Sequence, residues 1–238
     1  TCAGWTATVP ATVGSVGWHT AMVVDGSNVT HVVYYDATNG DLRYARSDGA
    51  DLDAGGAACA AVGGWGNCCM DGCGASPASL PTAGTAATAN AGAGVWPAIA
   101  IDADGYIHIV YRDNTLTDVL YITNAPSGTW SRTVILVSAN AGWGNSIAAG
   151  CGGVHVATFE DPGTFEHVRY GTNASGTWVW SATAAGTGAV SGDLGTSVAG
   201  TLPAAGDLEA AASATTGYFE SSIALGPRRL ATRGTFLL

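Results

Sequence analysis

The chain has 238 residues, of which 47% are hydrophobic and 11% are charged, and its formal net charge is −10. This acidic balance argues against a nucleic-acid partner, because binding a phosphate backbone calls for a basic surface. No apolar run approaches the roughly 20 residues of a membrane-spanning helix, so no membrane span is predicted. The length is sufficient for one all-β domain with a full core.

The first predicted hairpin covers residues 20–36, and it has close copies at 97–113 and 145–160. In each copy a small apolar run meets a turn rich in Asp or Gly, and a His then opens a second apolar run. Asp-Gly between β-branched runs is a strong hairpin signal, because the turn needs positive φ and the flanking residues favour a pleated sheet. The sequence therefore predicts a hairpin that repeats along the chain.

Two further strands follow each hairpin. Third strands are predicted at 41–47, 118–124 and 166–172, each with a Tyr at the same place (Tyr44, Tyr121 and Tyr170). Trp-bearing fourth strands are predicted at 127–135 and 175–183, with a distorted version at 63–69. The interval from His108 to His155 is 47 residues, which is near the length of a four-stranded propeller blade. The longer interval before His108 is explained by a Cys- and Ala-rich insert at about 49–93.

A weaker fourth copy is predicted from segments 195–201, 206–213 and 217–225. It lacks a clear fourth strand, whereas the N-terminal segment 3–10 resembles a fourth strand with nothing before it. Pairing these two ends would close a ring and remove exposed strand edges. The predicted fold is thus an all-β propeller of about four four-stranded antiparallel blades within residues 1–226. A fifth blade within 49–93, or a fragment of a larger propeller, is the alternative.

The remaining segment, 227–238, is a tail with three Arg residues, Arg228, Arg229 and Arg233. It is interpreted either as a docking peptide for a neighbouring copy or as a last strand.

Six cysteines lie in Gly-rich surroundings, and their even number predicts disulfides and an oxidising compartment. They are Cys2, Cys59, Cys68, Cys69, Cys73 and Cys151. A metal cluster within 59–73 is the alternative, but its spacing contains no CxxC pair. A secreted, extracellular or cell-surface protein is therefore expected, and no metal site is assigned.

The repeated phrase "PAIAIDADGYIHIVYRD…VLYITN…SGTW" resembles the repeats of secreted bacterial β-propellers of the sialidase-like or lectin-like kind. The resemblance covers roughly residues 1–190 and implies a propeller architecture. It says little about activity, since propellers host many functions. Sialidase repeats carry an Asp box, Ser/Thr-x-Asp-x-Gly-x-Thr-Trp, and the SGTW segments here keep its end but lack its Asp.

The recurring His and Tyr residues are interpreted as packing groups that bond a neighbouring loop. A sialidase-like hydrolase would need an Arg cluster, a Tyr nucleophile and a Glu beside it. Arg43, Arg112 and Arg169 lie on three predicted blades and could converge, but no Glu has a Tyr at a corresponding blade position. No catalytic residue is therefore assigned.

One face of the predicted propeller combines acidic loops with aromatic residues. Its candidate ligand-binding residues are Trp18, Trp96, Trp143, Asp36, Asp113 and Glu160. Carboxylates accept hydrogen bonds from sugar hydroxyls or ligate calcium, and Trp rings stack on sugars. The alternative is that the carboxylates bond turn N–H groups and the Trp residues fill the ring.

The sequence thus favours a non-enzymatic binding module whose partners are glycans or other copies of itself. No cofactor is assigned, with calcium as the candidate ion. A structural surface or filament subunit and a sialidase-like glycoside hydrolase are the alternatives.

Overall fold

The computed structural model describes residues 8, 10–12, 14–50, 59–73, 83–84, 92–137, 140–150, 152–161, 163, 167–181, 208–213, 216–225 and 228–235. Every regular element within these ranges is a β-strand. Accordingly, these ranges include no helix with the length and apolar character needed to cross a membrane.

Sheet A contains five strands in the spatial order β1-β2-β3-β5-β4. They are β1 (Val16–Val24), β2 (Thr30–Asp36), β3 (Asp41–Arg46), β4 (Cys59–Val62) and β5 (Trp65–Asp71). Strands β1, β2, β3 and β5 form an antiparallel meander, and β4 pairs antiparallel with the free edge of β5.

Sheet B repeats this meander in the order β7-β8-β9-β10, with β6 added parallel to β10. Its strands are β6 (Ala83–Gly84), β7 (Ala93–Ile101), β8 (Ile107–Asp113), β9 (Asp118–Thr123) and β10 (Ser131–Leu136).

Sheet C is a third antiparallel meander, β11-β12-β13-β14. It consists of β11 (Ala141–Gly150), β12 (Gly153–Glu160), β13 (His167–Thr172) and β14 (Val179–Trp180). Sheet D has three antiparallel strands, β15 (Leu208–Ser213), β16 (Thr216–Leu225) and β17 (Arg228–Thr235). Strand β17 occupies most of the predicted C-terminal tail.

The all-β class and the repeated four-stranded unit are confirmed by these sheets. Segment 63–69 contributes to β5, which is the fourth strand of the first meander as predicted. Of the predicted N-terminal strand 3–10 only residues 8 and 10 are described, and segment 195–201 lies outside the described residues. A closed ring stays a prediction.

Sheets A, B and C pack face to face in chain order. The core between A and B is built from alternate residues of their strands, including Val33, Tyr44, Met70, Ile109, Tyr111 and Ile122. The core between B and C includes Val110, Val119, Tyr121, Ile135, Val154 and Val156. Because successive residues of a strand point to opposite faces, β8 supplies both cores and is buried along its whole length.

A four-residue chain of contacts repeats at these interfaces. In sheet A the Asp25 carboxylate accepts the N–H groups of Ser27 and Val29 in the hairpin turn and lies 3.3 Å from His31 Nε2. The other ring nitrogen of His31 is 2.5 Å from the Tyr44 hydroxyl. Burial raises the pKa of Tyr44, so its hydroxyl keeps its proton at neutral pH.

The ring of Tyr44 then meets Trp130 of sheet B edge to face at 6.1 Å. The same chain joins sheets B and C through Asp102, His108, Tyr121 and Trp178. Burial raises the pKa of Tyr121 to about 12. In the first two copies the recurring His and Tyr residues pack one sheet on the next, as predicted, and the third copy leaves the prediction untested.

A buried ion pair also joins sheets A and B. The Asp71 carboxylate at the end of β5 accepts a hydrogen bond from the Arg132 guanidinium on β10 and another from the Tyr111 hydroxyl on β8, at 2.6 Å. All three side chains are essentially inaccessible to solvent. The backbones approach closely nearby, because a Cβ on Gly94 would lie 2.6 Å from Leu42 Cα.

Candidate functional site

The site begins with a distortion at the start of the first strand of each meander. The first residue of each of these strands lies opposite the last residue of the second strand, in the pairs Val16 with Asp36, Ala93 with Asp113 and Ala141 with Glu160. The register then slips twice in each strand. The slips mark β-bulges, which re-aim side chains and bend the strand.

Within the second bulge of each strand one residue has left-handed backbone geometry. The φ angles are 52° at His19, 54° at Trp96 and 60° at Gly144, three equivalent positions of the repeat. Left-handed geometry is unfavourable for a bulky side chain, and it is most often retained at functional sites. Two of the three copies hold an aromatic ring at this position.

The bulges gather four aromatic residues, Trp18, His19, Trp96 and Trp143, which we call the inner aromatic cluster. The ring centroids of His19 and Trp96 are 3.8 Å apart with an interplanar angle of 40°. Trp143 follows at 6.3 Å from Trp96, and Trp18 lies 6.2 Å from His19 on the other side. The cluster therefore forms a continuous row across the first strands of sheets A, B and C.

Solvent reaches this row mainly at Trp18. Its side chain is 55% exposed, and its indole N–H donates to Ser15 Oγ at 3.0 Å, which fixes the ring orientation. Partial burial lowers the pKa of His19, so the imidazole is neutral at pH 7 and contacts Trp96 without a charge. The row thus presents an uncharged aromatic surface to solvent.

Two polar atoms beside the row have no hydrogen-bond partner among the described residues. They are the donor Trp96 Nε1 and the acceptor Asn145 Oδ1, both buried. The Asn145 amide N–H groups donate to the carbonyls of Trp96 and Gly142, each at 2.9 Å, which fixes the side chain. A buried donor and a buried acceptor without partners are unusual in a folded protein.

The position of Trp143 is fixed by contacts with Arg112 and Asn140. The Arg112 guanidinium lies 4.5 Å from its ring centroid, and the indole N–H donates to Asn140 Oδ1 at 3.1 Å. Arg112 also donates to Asn140 Oδ1 and to the Ala141 carbonyl. This buried cation is therefore engaged in fixing Trp143, the last member of the row.

The predicted acidic residues lie at the same end of the sheets as the cluster. Asp36 Oδ1 accepts the N–H groups of Thr38 and Asn39, and Asp113 Oδ1 accepts those of Thr115 and Leu116. Both carboxylates are buried and hold their turns, while Asp113 Oδ2 has no hydrogen-bond partner among the described residues.

Glu160, the third predicted acidic residue, is buried and accepts a hydrogen bond from Arg169 Nη1 at 3.1 Å. Arg43, which shares the third-strand position of Arg169, donates to Asn67 at 3.1 Å. The three Arg residues considered for a hydrolase are thus each bonded within the protein.

Near the end of β5, Cys69 and Cys73 are joined by a disulfide, and Cys68 is also disulfide-bonded. Cys59 lies opposite Cys68 in the strand ladder, whereas Cys2 and Cys151 lie outside the described residues. Asp41 is near Cys69 and Cys73, and across the described ranges this is the one group of three potential metal ligands found. Its sulfur atoms are already bonded to each other.

His19 and Asn145 were missed by the sequence prediction. Both are single residues whose role depends on the bulge, and the only available signal was the repeated Gly at 17, 94 and 142, each with positive φ.

Comparison of the sequence with models of known protein families finds no match, and comparison with curated proteins finds none either.

Proposed function

We propose that the chain is a non-enzymatic binding module of propeller type, secreted or displayed at a cell surface, which takes carbohydrate at the inner aromatic cluster. The observation that carries this proposal is the row from Trp18 through His19 and Trp96 to Trp143, with an exposed ring at one end. The apolar face of a pyranose stacks on such rings, because its C–H groups leave water and meet the π face.

The polar atoms beside the row supply directional contacts. Trp96 Nε1 and Asn145 Oδ1 are buried, so a sugar hydroxyl would pair with them only by entering the interior beside the row. Neither atom carries charge, and His19 is neutral, so the proposed ligand is a neutral or amino sugar. The carboxylates of Asp36 and Asp113 act in this proposal through the turns they hold.

A propeller ring is supported by the consecutive packing of sheets A, B and C. Gly94 and Gly142 each have backbone or side-chain atoms of the preceding sheet within 3 Å of the place of a Cβ, whereas Gly17 at the equivalent position has none within 4 Å among the described residues. Met22 and Val24 of the same strand are 62% and 47% exposed. This side of sheet A is where a fourth blade would pack, with the N-terminal strand as its outer strand.

The disulfide between Cys69 and Cys73 supports an oxidising compartment, since such bonds are rare in a reducing cytosol. Stacking on the row needs no metal ion, so we expect sugar binding to persist after chelation of calcium.

The test is a glycan array, run with and without a calcium chelator, followed by titration of the best array ligand. We expect a dissociation constant on the order of 1 mM per site. Trp18→Ala should weaken binding about fivefold, because it removes an exposed stacking ring, without changing the melting temperature. Val137→Ala, which changes a highly exposed residue outside the cluster, is the matched control.

Equal affinity in Trp18→Ala and the control would contradict the proposed site. The absence of any array ligand would contradict the proposed function and favour the structural-subunit alternative.

A further inference from the structure

We propose that the outer face of sheet C is the docking surface for the chain's own N-terminal strand, with Trp5 packed on Tyr170. Outer face here means the face that carries His155 and Tyr170 and points away from sheet B. The inference rests on the ring in the proposed function and is independent of the proposed ligand.

The first argument is the repeated contact between a Tyr and the next sheet. Tyr44 of sheet A is covered by Trp130 of sheet B, with ring centroids 6.1 Å apart. Tyr121 of sheet B is covered by Trp178 of sheet C at 5.2 Å. In both cases the Tyr is bonded to the His of its own second strand, and both Tyr rings are buried.

In the third copy the described residues show only the first half of this contact. His155 Nδ1 is 2.6 Å from the Tyr170 hydroxyl, and the two rings are stacked at 6.0 Å. Both residues are only half-buried, and no Trp among the described residues contacts the Tyr170 ring. On the same face Val168 is 41% exposed. The Tyr at this position is buried under a Trp in sheets A and B, whereas Tyr170 in sheet C is only half-buried.

The second argument identifies the missing Trp. Trp130 precedes Ala141, the first ladder residue of β11, by eleven residues. Trp5 precedes Val16, the first ladder residue of β1, by the same eleven. Val16 and Ala141 are equivalent, since each lies opposite the last residue of its second strand. Trp5 thus has the spacing of the Trp that covers a Tyr of the preceding sheet.

The third argument is the position of the chain just after Trp5. Thr8 Oγ1 accepts a hydrogen bond from Trp65 Nε1 at 3.0 Å, and the Pro10 carbonyl accepts one from Asn67 at 2.8 Å. Asn67 also bonds Tyr34, on the face of sheet A that points away from sheet B. The N-terminal segment therefore reaches the side of sheet A on which a fourth blade would pack.

The distance from this point is compatible with a contact to sheet C. Packed sheets are about 10 Å apart, and three extended residues span about 10 Å. Trp5 is three residues before Thr8, and a connection of that length is sufficient to reach a blade that fills the space between sheets C and A. The short connection favours docking within one chain over exchange with a second copy.

The experiment is a pair of double-mutant cycles read by thermal melting of the full chain. Trp5→Ala and Tyr170→Ala form the test cycle, and Trp130→Ala and Tyr44→Ala form the matched cycle at an interface that the structure describes. We expect Trp5→Ala to lower the melting temperature by roughly 5–15 °C, as loss of a buried Trp does. The double variant should melt close to the less stable single variant, because residues in contact are not additive.

Trp5→Phe should restore most of the loss, since it keeps a ring on Tyr170, and this milder variant keeps the test valid where Trp5→Ala does not fold. Sedimentation of the wild type should show a monomer.

An unchanged melting temperature in Trp5→Ala, or additive losses in the test cycle, would overturn the inference. Concentration-dependent assembly that Trp5→Ala abolishes would also overturn it, since the strand would then dock on a second copy. Sugar titration of Trp5→Phe separates this result from the ligand proposal, because binding at the inner aromatic cluster does not depend on which chain supplies the strand.

Discussion

The buried contact between Asp71, Arg132 and Tyr111 makes a sharp prediction about how sheets A and B are held together. Asp71→Asn keeps the size of the side chain and one oxygen for the Tyr111 hydroxyl, but it removes the negative charge beside a buried guanidinium. Breaking a buried ion pair by changing one partner costs about 3–5 kcal/mol. Because Asn still accepts one hydrogen bond, we expect the lower end of this range.

A loss of about 3 kcal/mol in a chain of this length lowers the melting temperature by roughly 6–12 °C. The matched control is Asp48→Asn, which breaks the exposed pair between Arg46 and Asp48. Exposed pairs contribute about 0–1 kcal/mol, so the control should melt within a few degrees of the wild type. Circular dichroism at pH 7 provides both values.

Adding Arg132→Met to Asp71→Asn should recover part of the loss, because the buried cation is removed together with its partner. The reasoning would be refuted if Asp71→Asn melted like Asp48→Asn. It would equally be refuted if the double variant lost the sum of the two single losses, since that result means that the two groups act independently.

Two further predictions concern a turn and an interface. The N–H of Val29 holds the pKa of Asp25 below its usual range. The stabilising effect of this carboxylate is therefore present above the unfolded-state pKa near 4 and is lost as the pH falls through the folded value. Urea midpoints at pH 6 and pH 3 should differ less in Asp25→Asn than in the wild type, and equal differences would contradict this. Gly94→Ala should lower the melting temperature by several degrees more than Gly105→Ala. Both glycines have positive φ, but only at Gly94 would the new Cβ meet Leu42. Equal shifts would mean that the two sheets separate easily at this point.

The repeated strands could be predicted from the sequence because residue types recur at fixed intervals. His31, His108 and His155 mark the second strand of each meander, and Tyr44 and Tyr121 mark the third. In the first two copies these side chains are buried at the same point, because each sheet meets the same packing requirement against the next sheet. The spacing of these residues along the chain therefore predicts the repeated four-stranded sheet.

The pairings between sheets could not be predicted in the same way. Asp71 and Arg132 are 61 residues apart and lie in different sheets, and neither has a counterpart in the other copies that would mark it. An isolated Asp at the end of a strand also reads as an ordinary turn residue. Only the packing of β5 against β8 and β10 makes its burial evident.

The candidate site was predicted in part. The three Trp residues were placed within one residue of a common repeat position, and the structure brings Trp96 and Trp143 together with Trp18 nearby. The bulges, however, make His19 the true equivalent of Trp96, because the register slips between Val16 and Ala21. A shift of one residue changes the face on which a side chain lies, and no local pattern in the sequence indicates the slip.

The comparison of the three copies separates the residues that build the fold from those that can differ between copies. The His and Tyr of the second and third strands are the same in all three sheets, as expected for groups that pack one sheet on the next. The left-handed bulge position is different: its backbone geometry is repeated three times, but it carries His19, then Trp96, then Gly144. A conformation that costs energy for the first two residues is retained while the side chain varies, so the fold does not require a particular residue there. Because the fold does not fix the side chain at this position, that side chain can vary to suit a ligand. This is the physical reason for locating the proposed sugar site on the inner aromatic cluster.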